Sequence, residues 1–62
     1  MVIKVNNEIR TYKTSPLLID VLNIKYRSGV IVILNGRIIC QNAWEYTYLN
    51  DCDDIQVIQG SL

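Results

Sequence analysis

Apolar and polar residues alternate at the start of the chain, and this alternation predicts two short strands. Met1–Val5 places every second side chain on one face, which is the period of a strand. Asn6-Asn7 follows, and asparagine tolerates the left-handed backbone of a tight turn. We therefore expect Glu8–Tyr12 to return beside the first strand as the second half of a hairpin.

A short helix is predicted next. Ser15 can cap the free N–H groups at a helix start, and Pro16 suits the first helical position. An apolar stripe then follows at helical spacing, formed by Leu17, Leu18, Val21 and Leu22. The pattern breaks at Asn23–Ser28, so the helix is expected to span about two turns and to depend on packing for its stability.

The second half of the chain predicts three more strands. Val30–Leu34 is a continuous apolar run, and Asn35-Gly36 is the strongest short hairpin signal. Arg37–Cys40 is the expected return strand. After an irregular aromatic segment, with a helical turn expected near residues 43–46, the polar turn Asp51–Asp54 leads into a last strand at Ile55–Ile58.

The order β-β-α-β-β-β in 62 residues predicts one domain, 1–62, of the α+β class. The expected architecture is a β-grasp, or ubiquitin-like, fold, in which one short helix packs on one face of a mixed sheet of about five strands. The side chains expected between sheet and helix are Ile3, Val5, Leu18, Val21, Val32, Leu34, Ile55 and Val57.

One strand is apolar on both faces, although a single short helix covers only one face of a sheet. Ile31 and Ile33 are therefore predicted to lie on the uncovered face, together with Ile58 and Val2, and to form a partner surface there. The alternative is that side chains of residues 41–50 fold over this face and cover it.

Charge is unevenly distributed although the net charge is zero. Residues 1–37 hold all six bases and two acids, whereas residues 38–62 hold four acids and no base. A nucleic-acid-binding protein would usually be basic, with aromatic residues among its bases, but Trp44, Tyr46 and Tyr48 lie in the acidic half. We expect no nucleic acid partner, and the acidic turn either steers a basic partner or is simply solvated.

Membrane insertion and catalysis both find little support in the sequence. There is no apolar run of about 18 residues and no signal-peptide pattern, so we expect a cytoplasmic protein with no membrane partner. The chain has no histidine, and Cys40 and Cys52 are too few to hold zinc. We expect no catalytic residue and no metal, and we expect both cysteines to be free thiols, with Cys52 the more exposed.

Over nearly its whole length the chain resembles the ThiS family of sulfur carriers. The family has two strands around an Asn-Gly-like turn, a leucine-rich short helix, an Asn-Gly hairpin, a Ser-x-Trp-x-x-Thr-x-Leu segment and an Asp-Gly-Asp turn. The matching segments here are Val2–Tyr12, Leu17–Leu22, Val30–Ile39, Asn42–Leu49 and Asp51–Asp53. The tryptophan segment is the most specific of these, because the strands alone would also fit the molybdopterin carrier MoaD.

The resemblance implies a carrier protein of thiamin (thiazole) biosynthesis and not an enzyme. Such carriers bind no cofactor. A ThiF-like activating enzyme uses ATP to adenylate their C-terminus, sulfur replaces AMP to give a thiocarboxylate, and a ThiG-like thiazole synthase receives the sulfur. Family members end in Gly-Gly, because a tail without Cβ atoms can thread into a narrow active site.

Two features depart from the family pattern. The predicted tail is Gln59, Gly60, Ser61 and Leu62, and the expected Gly-Gly would follow Leu62. Either two further residues follow Leu62, which is the alternative that we favour, or this is a degenerate relative that cannot carry sulfur. We expect this tail to leave the sheet. Cys52 replaces the glycine of the Asp-Gly-Asp turn, where a positive φ is expected. The alternatives are a sulfur carrier for another pathway, such as molybdopterin or an amino acid, and a ubiquitin-like interaction module without carrier chemistry.

Overall fold

The computed structural model describes residues 1–22 and 29–59, which form a mixed sheet with one short helix on one face. The sheet order is β2-β1-β5-β3-β4, in which β1 and β5 are parallel and the other neighbours antiparallel. This is the predicted β-grasp arrangement. The elements are β1 (Val2–Val5), β2 (Glu8–Thr11), α1 (Leu18–Leu22), β3 (Val30–Leu34), β4 (Arg37–Ile39), a 3-10 helix (Gln41–Ala43) and β5 (Asp54–Gln59).

Two tight turns set the register of the two hairpins. Asn6 and Asn7 have φ of 50° and 67°, and Asn35 and Gly36 have φ of 51° and 84°. Two consecutive residues with positive φ give the turn whose twist matches that of the flanking strands. Both predicted hairpins are therefore confirmed.

The core lies between the sheet and α1. Six of the eight predicted core residues are buried, while Leu34 and Val57 are half-buried at its margin. The core also contains Leu22, Trp44 and Leu49, which were not predicted. Trp44 joins the core with its polar atom satisfied, because the indole Nε1–H donates to the Ile39 carbonyl at 3.0 Å.

The predicted helix start is wrong. The Ser15 hydroxyl donates to the Leu49 carbonyl instead of capping a helix, and the Pro16 carbonyl accepts the Leu49 N–H at 2.9 Å. Leu17 then pairs with Tyr48 in an isolated bridge, so α1 begins only at Leu18. Tertiary hydrogen bonds to residues 47–49 hold this stretch extended where local propensity favours a helix.

The last strand is longer than predicted. β5 begins at Asp54 and continues through Gln59, which pairs with Val30 at the start of β3. The expectation that Gln59 leaves the sheet is therefore wrong, because β3 offers it a pairing partner. The rest of the predicted tail, Gly60–Leu62, lies outside the described residues, as does the predicted helix break at Asn23–Ser28.

Candidate partner-binding surface

The face of the sheet away from α1 carries a cluster of isoleucines, which we call the isoleucine patch: Ile31, Ile33, Ile38 and Ile58. The strand registers bring them together, since Ile31 lies opposite Ile58 and Ile33 lies opposite Ile38. Side chains directly opposite each other on one face of a sheet have Cβ atoms about 5 Å apart. Ile31, Ile58 and Ile38 are 43%, 47% and 71% exposed, and Ile33 is half-buried.

Val2 lies on the same outer face but not in the patch. It is 42% exposed, and β1 pairs with β5 so that Lys4 lies beside Asp54. By the same register Val2 lies beside Cys52. Ile58 follows Cys52 by six residues, which at about 3.3 Å per residue is a distance of roughly 20 Å along the chain. Of the four residues predicted to share a partner surface, the structure brings Ile31, Ile33 and Ile58 together and separates Val2 from them.

Residues 41–50, the alternative cover for the outer face, pack on the other side of the sheet. Trp44 and Leu49 are 1% and 0% exposed and belong to the core under α1. Trp44 also accepts the Ile19 N–H through its carbonyl, which ties the segment to the helix. Within the part of the chain that the structure describes, the isoleucine patch is left uncovered.

The patch adjoins the C-terminal end of β5. Ile58 is the next-to-last residue of that strand, and Gln59 is the last. A protein bound to the patch would therefore lie against the point from which the chain continues beyond β5.

Asp53 organises the polar turn at the opposite end of β5. Its Oδ1 accepts a hydrogen bond from Asn35 Nδ2 at 2.9 Å, and its Oδ2 accepts one from the Asn50 N–H at 2.7 Å. Asn35 Oδ1 in turn accepts the Asp54 N–H at 2.9 Å. Asp53 is buried, so of the acidic turn only Asp51 and Asp54 present exposed carboxylates to a partner.

Asp51 is held in its charged form at the surface. Its Oδ1 accepts the Val2 N–H at 2.7 Å, and this hydrogen bond is the main reason that the pKa of Asp51 lies below its ordinary value. Desolvation opposes this effect and raises the pKa, whereas the nearby N-terminal ammonium group and the Cys52 thiol lower it further. Asp51 is therefore a carboxylate at neutral pH.

The chemistry of the cysteines is simple. Cys40 and Cys52 are both exposed free thiols, as predicted, and Cys52 has φ of 69°, as expected for a residue that replaces a glycine.

Residues 1–22 and 29–59 contain no group of three histidine, cysteine or acidic side chains placed to hold a metal ion. In the same residues no helix is both long and apolar enough to cross a membrane.

Comparison with known proteins supports the fold. A crystal structure of the thiamine biosynthesis protein ThiS from Geobacter metallireducens is similar, with a TM-score of 0.79 and 23% sequence identity. The match covers 98% of this chain and 96% of that one. The fold is that of ThiS. No protein-family model matches the chain, and no curated protein matches it in sequence.

Sequence reasoning missed Ile38, the most exposed isoleucine of the patch. The signal that would have found it was present, because a two-residue turn at Asn35-Gly36 places Leu34 opposite Arg37. Counting one residue outward puts Ile38 opposite Ile33 on the same face.

Proposed function

We propose that this chain is a sulfur carrier, a substrate protein whose terminal carboxylate is activated by another enzyme. The supporting observation is the position of the isoleucine patch at the end of β5, on a fold shared with ThiS. A carrier of this kind must bind an enzyme and deliver its own C-terminus into the active site. A docking surface beside the last strand meets both needs at once.

The proposed reaction leaves the carrier little chemistry to perform. The carboxylate attacks the α-phosphate of ATP and forms an acyl adenylate with release of pyrophosphate. Hydrosulfide from the sulfur donor then attacks the acyl carbon and displaces AMP, which leaves a thiocarboxylate and one released proton. Every proton and phosphate is handled by the activating enzyme. The carrier supplies only the carboxylate, the patch and a chain end narrow enough to enter the site.

We further propose that the pathway is thiamin biosynthesis, with a ThiF-like activating enzyme and a ThiG-like thiazole synthase as partners. The likeness in fold to a thiamine biosynthesis protein supports this choice. A carrier for molybdopterin or for an amino acid would use the same chemistry with other enzymes. Presenting the protein to enzymes of each pathway distinguishes these alternatives.

The C-terminus gives the direct test. The proposed carrier function requires the Gly-Gly that the resemblance to ThiS places after Leu62. A chain that stops at Leu62 should therefore be inert, because the Cβ atoms of Ser61 and Leu62 obstruct a narrow channel. The same chain extended by two glycines should gain the mass difference between sulfur and oxygen when it is given ATP, a sulfur donor and an activating enzyme. Intact-protein mass spectrometry measures this change.

Two results would overturn the proposal in different ways. If the extended chain stays unmodified with activating enzymes of several pathways, the carrier function is wrong and an interaction module without covalent chemistry replaces it. If the chain ending at Leu62 is modified, the argument that the channel requires terminal glycines is wrong.

The docking surface has a matched pair of variants. Ile38→Glu places a charge in the isoleucine patch, whereas Ile9→Glu places the same charge on the same face but at the other edge strand, at a residue that is 67% exposed. We expect Ile38→Glu to weaken binding of the activating enzyme tenfold or more, as for an interface hot spot, and Ile9→Glu to leave it unchanged. Calorimetric titration of both variants measures this, and equal affinities would refute the assignment of the patch.

A further inference from the structure

β2 forms one edge of the sheet, and β4, which carries part of the isoleucine patch, forms the other. The β2 edge exposes main-chain hydrogen-bonding groups. Met1 and Tyr12 exchange two hydrogen bonds, 2.9 Å from the N-terminal ammonium group to the Tyr12 carbonyl and 2.8 Å from the Tyr12 N–H to the Met1 carbonyl. Bonded and non-bonded pairs alternate along an antiparallel ladder, so Arg10 is also bonded to β1. The N–H and C=O groups of Ile9 and Thr11 therefore point away from the sheet.

Nothing in the described part of the chain pairs with this edge. β2 is the first strand of the sheet order, and β1 is its neighbour there. Natural proteins protect edge strands by keeping them short, or with charged side chains, proline or a bulge, because an open edge pairs readily with another chain. β2 is short and carries Glu8 and Arg10, but it has no proline, its register with β1 is uninterrupted, and Ile9 at its centre is largely exposed.

The charges of β2 complement a second copy of the same strand. In an antiparallel pair centred on Ile9, the two Ile9 residues lie opposite each other and Glu8 of each chain lies opposite Arg10 of the other. The Ile9 pair falls on the outer face, and both ion pairs fall on the helix side. The pair of Ile9 residues can exchange two main-chain hydrogen bonds, because both sets of groups point outward.

Two neighbouring registers also place outer-face residues opposite outer-face residues, but both bring like charges together. Moving the centre to Glu8 would place two carboxylates opposite each other, and moving it to Arg10 would place two guanidinium groups opposite each other. Like charges directly opposite across a strand pair are destabilising. Charge therefore selects the register centred on Ile9.

We propose that two copies of this chain associate by antiparallel pairing of their β2 edges about Ile9. The interface is isologous, so it closes on a dimer and does not propagate. Arg10 has five N–H groups, and within residues 1–22 and 29–59 its side chain donates from Nη1 to the Val21 carbonyl at 3.0 Å, so further N–H groups are available for the ion pair. This proposal does not depend on the sulfur-carrier function.

The β4 edge lacks the same complementarity. Ile38 also lies at the centre of an edge strand, but a pair centred on it would place Arg37 opposite Ile39.

The β2 dimer is expected to be weak, because a four-residue edge buries far less than the roughly 800 Å² per partner of a stable interface. The dissociation constant of the dimer should be on the order of 0.1–1 mM.

Sedimentation velocity and amide hydrogen exchange by NMR test the proposal over a concentration series. We expect a monomer at low micromolar concentration and a dimer fraction that grows toward millimolar concentration. The Ile9 amide should become protected from exchange as the dimer forms, whereas the Arg10 amide should be protected throughout. Absence of association near 1 mM, or association that leaves the Ile9 amide unprotected, would overturn the proposal.

Charge variants identify the register. Glu8→Lys should raise the dissociation constant about two- to thirtyfold, because two cross-strand ion pairs are lost. Glu45→Lys is the matched control, with the same change in net charge at an exposed residue outside β2, and it should behave as the wild type. An equal effect of the two variants would show that net charge alone governs association and would overturn the register.

Mixing gives a test that unfolding cannot imitate. In a dimer of Glu8→Lys alone, or of Arg10→Glu alone, residues 8 and 10 opposite each other carry like charges. In a dimer of one Glu8→Lys chain and one Arg10→Glu chain, both opposed pairs carry opposite charges. We expect the equimolar mixture to associate more tightly than either variant alone. If the mixture is no tighter, or if Ile38→Glu rather than Glu8→Lys abolishes association, the β2 edge is not the interface.

Discussion

The hydrogen bonds of Asp53 allow a specific prediction about stability. Asp53→Ala removes the acceptors for Asn35 Nδ2 and for the Asn50 N–H, which are 2.9 and 2.7 Å from the carboxylate oxygens. Asp53 is only 8% exposed, but Asn35 and Asn50, which supply the donors, lie at the surface. The variant therefore removes the charged partner of two donors, and water at the turn replaces it only in part.

The expected loss of stability is large for this chain. A hydrogen bond to a charged group contributes roughly 1.5–3 kcal/mol, so the loss of two, partly offset by water at the turn, should cost about 2–4 kcal/mol. At about 0.05–0.15 kcal/mol per residue, a protein of this length has a total unfolding free energy of roughly 3–9 kcal/mol. The unfolding temperature should fall by roughly 10–25 °C.

Urea denaturation measures the effect. The fluorescence of Trp44 reports unfolding of the core, because this single tryptophan is 1% exposed. The control is Asp54→Ala, which removes an exposed carboxylate from the same turn and should change the free energy of unfolding by less than about 0.5 kcal/mol. If the two variants lose equal stability, the proposed role of the buried carboxylate is refuted.

A second variant separates hydrogen bonding from backbone strain. Asn35 has φ of 51°, so Asn35→Gly keeps the left-handed turn and removes only the side-chain bonds to Asp53 and to the Asp54 N–H. The double variant with Asp53→Ala should lose less stability than the sum of the two single losses, because the bond between Asn35 and Asp53 is counted in both. Strict additivity would show that this bond contributes nothing.

Two further predictions concern the neighbouring turn. Cys52→Gly should raise the free energy of unfolding by up to about 1 kcal/mol in urea denaturation, since glycine adopts φ of 69° without the Cβ clash; a decrease would show that the thiol stabilises the turn. The pKa of Asp51 is lower in the folded than in the unfolded chain, so its contribution is present above about pH 4 and is lost as pH falls through the folded value. Asp51→Asn should therefore show a shallower loss of stability as the pH falls below about 4, and identical pH profiles would contradict this.

The two hairpins could be predicted because their determinants are local. Asn6-Asn7 and Asn35-Gly36 adopt positive φ with little help from the rest of the chain, and each two-residue turn then fixes a register. Strand alternation follows from the registers, which is why most of the predicted core is buried. The exposure of Ile31 was predictable for the same reason.

The remaining features depend on contacts distant in sequence. Trp44 and Leu49 lie in a segment without periodicity, so their burial is decided by the space left under α1. Ser15 bonds a carbonyl that lies 34 residues away, and no local pattern distinguishes this arrangement from a helix cap. Asp53 was expected to be a surface charge, but Asn35 and the Asn50 N–H provide the donors that allow a carboxylate to be buried.

The isoleucine patch and the β2 edge can act at the same time because of the strand order. Ile9 and Ile38 are placed alike in their hairpins, but they lie on opposite edges of the sheet, roughly 19 Å apart at about 4.8 Å per strand. Pairing through β2 would leave the two patches at the far ends of one continuous sheet. Each copy in such a dimer could then bind its own activating enzyme, so self-association would not compete with carrier function. Glu8→Lys, which weakens only the dimer, should leave the affinity for the activating enzyme unchanged.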